Sequence, residues 1–247
     1  MALHGASRRF RFFLCAILLG AAARFDAQTK QEAPPFVGET LRYAMTILGV
    51  AGGELTLSAR PAELGSRQLW KFELSAVSND FLSKFFLVRD YMVSWVDPRN
   101  FHTTRFEKHT VEGKRVRDEL MEFDYESGTA RVDGVAHPLQ DAWLDTLSSV
   151  YYLRTLPLDA EKPAALAVFS GETHTLTVEV QARERIATPA GSFATIRVEP
   201  KSTGASLIGK GKNLVLWLTD DERRIPVQIK SKLKVGTLIG KLKAIEK

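Results

Sequence analysis

The residues best suited to acid–base or metal chemistry in this chain are four histidines beyond His4: His102, His109, His137 and His174. No two of them stand three or four apart, the offset that puts two imidazoles on one helix face. His102 and His109 are seven apart in a β-patterned stretch, an odd offset that sends them to opposite faces. There is no G-x-S-x-G elbow, H-E-x-x-H or C-x-x-C. Gly204-Ala-Ser-Leu-Ile-Gly209-Lys210-Gly211 comes close to a phosphate loop, but glycine occupies the place of the hydroxyl that would hold magnesium. The residues that follow it read as a strand, which removes the helix dipole such a loop depends on. It is expected to be a hairpin connection. Asp220-Asp221-Glu222 could be imagined as an acidic cation site. It stands between Trp217-Leu218 and Arg224-Ile225-Pro226-Val227, where aspartates serve a turn by bonding their own backbone. The sequence thus points to no catalytic residue, no metal site and no cofactor.

The 247 residues include a single cysteine, Cys15. It falls in an N-terminal segment with the marks of an export signal. Arg8, Arg9 and Arg11 precede an apolar run from Phe12 to Leu19, followed by Gly20, Ala21, Ala22 and Ala23. Residues 1–27 are therefore expected to be a signal peptide of the ordinary secretory type, cleaved after Ala23 or Ala27. The processed chain would then lack thiols, disulfides and thiolate metal sites, leaving its core to hold it together. Nowhere does an apolar run reach the ~18 residues of a membrane-spanning helix. The net charge of +5 falls to +2 once four arginines and Asp26 leave with residues 1–27. Residues 201–247 carry +7 and residues 28–200 carry −5, so the basic part is the C-terminal strands. That face reads either as ordinary solvated strand or as a surface for anionic lipid head groups. Nucleic acid is disfavoured by the expected compartment, a periplasm of the Gram-negative type, with peripheral membrane attachment left open.

The elements that would position any site are mostly strands. Residues 28–37 read as a flexible leader and 38–247 as one β domain. Leu41, Tyr43, Met45 and Ile47 alternate with polar neighbours, and Leu55, Leu57 and Ala59 repeat the pattern beyond Gly49, Gly52 and Gly53. Further strands are expected near Trp70–Ala76, Tyr91–Trp95, Phe101–Val111, Lys114–Tyr125, Thr129–Val132, Thr173–Ile186, Phe193–Val198, Leu214–Leu218, Val227–Val235 and Leu238–Ile245. A dozen strands bounded by Gly, Pro and Asp argue for an all-β fold, a curved antiparallel sheet or half-open barrel. Trp143, Leu144, Leu147, Val150, Tyr151 and Arg154 break the rhythm at helical spacing, with Asp141 as cap, Asp145 in the first turn and Pro157 as stop. This one amphipathic helix is expected at the concave face or mouth of the sheet. A second apolar stretch, Phe81–Leu87, reads either as core filling or as a hydrophobic lip on a ligand cavity.

Several stretches together resemble a bacterial exported family called domain of unknown function 3108. They are Gly38-Glu39-Thr40-Leu41-Arg42-Tyr43 with Ala51-Gly52-Gly53, the helix Asp145–Arg154, Thr188-Pro189-Ala190-Gly191-Ser192-Phe193, and Leu216–Asp221 running into Arg224–Val227. The resemblance covers residues 36–243 in family order and implies no established activity. At fold level the chain is similar to periplasmic lipoprotein carriers of the LolA/LolB type, whose curved sheet holds acyl chains. The expectation is a non-catalytic module that binds a lipid or other amphiphile, its candidate contacts being Phe81, Phe85, Phe86, Trp143 and Tyr151, with Lys230 and Lys232 for a head group. A structural or interaction protein docking an envelope partner is the alternative, and a hydrolase the remote one.

Overall fold

Alternation of apolar and polar residues runs through almost the whole chain, and the structure is accordingly a single antiparallel ladder. The computed structural model describes residues 33–202, 214–233 and 236–247. The expected signal peptide, most of the leader and the loop resembling a phosphate site lie outside the described residues.

Strands β1 (Thr40–Ile47), β2 (Val50–Leu64), β3 (Arg67–Ser78), β4 (Val88–Val96), β5 (Thr103–Glu112), β6 (Arg115–Asp124), β7 (Thr129–Val132) and β8 (Val135–Pro138) follow one another as a meander. So do β9 (Ala164–Phe169), β10 (Thr173–Thr188), β11 (Gly191–Ser202), β12 (Leu214–Thr219), β13 (Pro226–Leu233) and β14 (Gly236–Glu246). The two meanders are joined by the antiparallel pairing of β1 with β14, Leu41 opposite Ile245 and Tyr43 opposite Leu242. The described strands thus number fourteen rather than a dozen. The two not anticipated, β8 and β9, are the short edge strands. Two helices interrupt them: α1 (Asp80–Ser83), between β3 and β4, and α2 (Thr146–Leu153), between β8 and β9.

The sheet curls strongly. Eleven inter-strand steps separate β6 from β9, about 50 Å in a flat sheet, yet the rings of Phe123 and Phe169 on these strands are 5.8 Å apart. It does not close, because β8 and β9 are not hydrogen-bonded to each other. A short strap covers the β9 edge instead. Leu144 forms a parallel bridge to Val168, and the Phe169 amide donates to the Leu144 carbonyl at 2.8 Å. On the other side the Thr103 amide donates to the Trp143 carbonyl at 3.0 Å. The strap satisfies edge groups that would otherwise be open to pairing with another chain.

Local sequence explains the bend near β1. Met45 pairs with Gly53 and Thr46 with Ala51, which leaves Gly52 as the extra residue of a bulge. Gly53 has φ +154°, and a side chain there would collide with the Val77 carbonyl. The core occupies the concave face, where the Phe72 ring stacks on Tyr151 at 4.2 Å and meets Phe36 edge-on at 5.9 Å. Each such aromatic pair contributes about 0.5–1.5 kcal/mol beyond area burial. Phe36 is fully buried, so the leader expected over 28–37 is corrected at its C-terminal end. Residues 34–37 form a turn closed by the Val37 amide on the Pro34 carbonyl at 2.9 Å, which seats Phe36 in the core.

Candidate functional site

Helix α2 fills one end of the concave face, and its N-terminus is fixed by a buried carboxylate. Asp145 accepts from the amides of Leu147 and Ser148 at 2.7 and 3.1 Å. The Ser148 hydroxyl in turn accepts from the Asp145 amide at 2.9 Å, completing a capping box. Asp145 also receives Ser94 Oγ from β4 and Thr103 Oγ1 from β5, each at 2.7 Å. The cap is therefore Asp145, not Asp141 as the spacing suggests. Trp143 and Leu144 give their backbone groups to the strap, so the helix starts only after them. At the other end Arg154 donates to Glu39 Oε1 at 2.5 Å and to the Arg223 carbonyl at 3.1 Å, and lies 4.9 Å from the Phe36 ring centre. Burial pushes the phenols of Tyr43 and Tyr151 well up; Tyr43 donates to the Pro226 carbonyl at 2.7 Å.

The other end of the concave face is not filled in this way. On five strands, inward-facing residues two positions apart step from buried to half-buried in the same direction. Tyr43 gives way to Met45 on β1, Phe72 to Leu74 on β3 and Ser94 to Met92 on β4. Leu216 likewise gives way to Leu214 on β12, and Val227 to Ile229 on β13. The half-buried members all lie toward the end of the sheet that carries the β1–β2 tip at Leu48-Gly49. Ser231 continues that face on β13, its Oγ buried and without a hydrogen-bond partner among the described residues. The result is a half-buried apolar surface with two methionines at that end, backed by a filled aromatic core.

The seven residues singled out in the sequence fall in four places. Phe81, Phe85 and Phe86 stand out from α1 and the turn after it, 58%, 76% and 49% exposed, so they do not fill the core. Tyr151 is inside the aromatic core, and Trp143 sits half-buried at the strap with its ring 4.4 Å from Tyr152 and 6.0 Å from His102. Lys230 and Lys232 are exposed and alternate with the inward-facing Ile229 and Ser231, which puts them on the convex face. The half-buried surface around Met45, Leu74, Met92, Leu214 and Ile229 was not singled out. Its alternation is plain in the sequence, but alternation assigns a face and not a depth.

Several polar clusters among the described residues serve the fold. Asp145, Ser148 and Thr103 form a buried cluster whose carboxylate is committed to the α2 amides and to the hydroxyls of Ser94 and Thr103. His109 Nδ1 lies 2.6 Å from Asp118 on the exposed face, and His174 is 3.7 Å from Glu172. Burial pushes the His102 imidazolium down despite the charge of Asp97. Asp221 Oδ1 accepts from Thr219 Oγ1 at 2.6 Å and from the amides of Arg223 and Arg224 at 3.1 and 3.2 Å, the turn expected of that acidic stretch. Among the described residues no three His, Cys, Asp or Glu side chains are grouped to hold a metal ion. None of their helices is long and apolar enough to cross a membrane.

The architecture is that of a barrel-like β protein, an unclosed antiparallel sheet curled around one helix. The chain belongs to the family described as "Protein of unknown function (DUF3108)", whose model matches residues 42–243. In fold it is similar to a beta-barrel-like protein of the unknown-function family DUF1849 from Brucella abortus, with a TM-score of 0.61 at 12% identity, covering 85% of this chain and 98% of that one. A Bacteroides fragilis protein with YmcC-like fold also matches, with a TM-score of 0.31 at 12% identity over 87% of this chain and 98% of that one. No curated protein matches. None of these relatives indicates a catalytic family.

Proposed function

We propose that the protein is a non-catalytic module, exported to the periplasm, that binds a lipid or other amphiphile in the open end of its concave face. The observation that carries this reading is the concerted step from buried to half-buried on five strands, from Tyr43 to Met45, Phe72 to Leu74, Ser94 to Met92, Leu216 to Leu214 and Val227 to Ile229. An apolar surface graded in this way accepts an acyl chain by extending the core rather than by opening it. Methionines at two of the five positions suit chains of differing shape. A chain of about a dozen methylenes contributes on the order of 10 kcal/mol gross at ~0.8 kcal/mol per methylene. After association and ordering costs, micromolar binding or tighter is expected.

The test is titration of delipidated protein with a fluorescent fatty acid below its micelle concentration. Saturable micromolar binding that weakens at least about tenfold in Leu74→Glu and Ile229→Glu supports the reading. No binding in the wild type removes it. The exposed rings of Phe81, Phe85 and Phe86 favour a second reading, an envelope protein that docks a partner there. Cross-linking that returns one specific protein, with no lipid probe bound, would select it.

A further inference from the structure

We propose that the turn between β3 and β4 is a membrane-docking rim, which seats its phenylalanines in the interface of an anionic lipid bilayer. The inference goes beyond the concave-face reading and rests on different residues. Phe81 and Phe85 meet edge-on at 5.5 Å, and with Phe86 they form an exposed aromatic cluster on a protruding turn. The turn is firmly held beneath them. Asn79 caps α1 through the Leu82 amide at 2.8 Å, and its side-chain amide donates to the Ala51 carbonyl at 2.8 Å. The Phe86 ring covers Gly113, where a Cβ would come within 3.0 Å of it, and the Gly113 amide donates to the Leu87 carbonyl at 2.7 Å. The rim therefore joins the β5–β6 tip on one side and exposed Val50 and Leu48 on the other. The rings are presented, not mobile ends seeking a core.

Charge selects the occupant. Among the described residues Lys84, Arg89, Lys114, Arg115 and Arg117 are exposed with no ion pair, against the exposed acids Asp80, Glu112 and Asp118, the last bonded to His109. A second copy is disfavoured, because an isologous contact would set this cationic collar against itself. A bilayer needs no matching pocket: phenyl rings enter the interface while lysine and arginine reach the phosphates.

The experiment is co-sedimentation of the protein, purified from the periplasm of a Gram-negative host in the form that host processes, with vesicles. One set contains phosphatidylethanolamine with phosphatidylglycerol, the other phosphatidylcholine alone. Binding to the first and not the second is expected, falling at least about tenfold in a combined Phe81→Ser, Phe85→Ser, Phe86→Ser variant. A combined Lys84→Glu, Lys114→Glu, Arg115→Glu variant should fall on the order of a hundredfold. All six side chains are exposed, so both variants should keep the wild-type melting curve. Both should also keep any binding of a soluble fatty-acid probe, which separates this inference from the concave-face reading. Equal binding to both vesicle types, or full binding by the phenylalanine variant, overturns it. So does a concentration-dependent dimer abolished by that variant with no vesicle binding in the wild type.

Discussion

Arg154 and Glu39, 115 residues apart in sequence, form an ion pair in which each side chain is only 1% exposed. The pair ties the C-terminal end of α2 to the start of β1, at the place where the two meanders of the sheet meet. Arg223 reaches the same carboxylate at 3.7 Å from the β12–β13 turn. Three segments distant in sequence therefore converge on Glu39.

Removing Arg154 leaves Glu39 buried with only the longer contact to Arg223, at 3.7 Å. Arg154→Ala is expected to lower stability by about 3–5 kcal/mol, because desolvation of the remaining charge is no longer offset. Urea unfolding checks this as a shift in midpoint at constant slope. The double variant Glu39→Gln, Arg154→Met should recover part of the loss, since it removes both charges while keeping volume.

The cap is the second point of attachment. Asp145→Ala takes about 1 kcal/mol with the lost cap and strands the Ser94 hydroxyl, while Thr103 keeps Ser148. A total near 3 kcal/mol is expected, at about 1–3 kcal/mol for each buried group left unpaired. Asp141→Ala, by contrast, should be neutral in the same assay, because Asp141 is exposed and caps nothing.

Phe36→Ala tests where the folded domain begins. A ring packed against Phe72, Phe101 and Tyr151 leaves a cavity when truncated, at a cost of about 3–5 kcal/mol. A freely moving leader would show no such cost in thermal unfolding.

Much of this organisation is legible in the sequence, and the exceptions share a cause. Leu41, Tyr43, Leu55, Leu57 and Phe72 announce their strands by alternation, and the turn at Asp220-Asp221 announces itself by residue type. β8 and β9 do not, because Val135-Ala136-His137-Pro138 and Ala164-Ala165-Leu166-Ala167-Val168-Phe169 lack the alternation of polar and apolar residues. The choice of Asp145 over Asp141 as cap depends on Ser94 and Thr103, which only the folded sheet brings near. Phe36 follows two prolines and reads as leader, while its role is decided by Phe72 and Tyr151 far along the chain. For the candidate site, alternation puts Met45, Leu74 and Ile229 on the inner face. That they are half-buried depends on how far α2 extends, which no local pattern encodes.

His102 supplies a dependence on pH. Burial beside Tyr125 and Trp143, at 4.6 and 6.0 Å between ring centres, holds its imidazolium below the ordinary value of 6.5. The unfolded chain then binds more protons than the folded one in this window. The stability linked to His102 is thus present above 6.5 and is lost as pH falls through 6.5 toward the lower folded value. NMR titration of the ring should give a midpoint below 6.5, and His102→Gln should flatten that part of the stability profile. A midpoint above 6.5 would contradict the assignment.

The most direct test of the amphiphile-binding account is native mass spectrometry of the protein purified from a Gram-negative periplasm, with lipid extraction of the same sample. The account predicts a discrete adduct in the mass range of a lipid, recovered in the extract and diminished in Leu74→Glu. A bare mass, unchanged after incubation with envelope extract, would contradict it and mean that the concave face serves only as core.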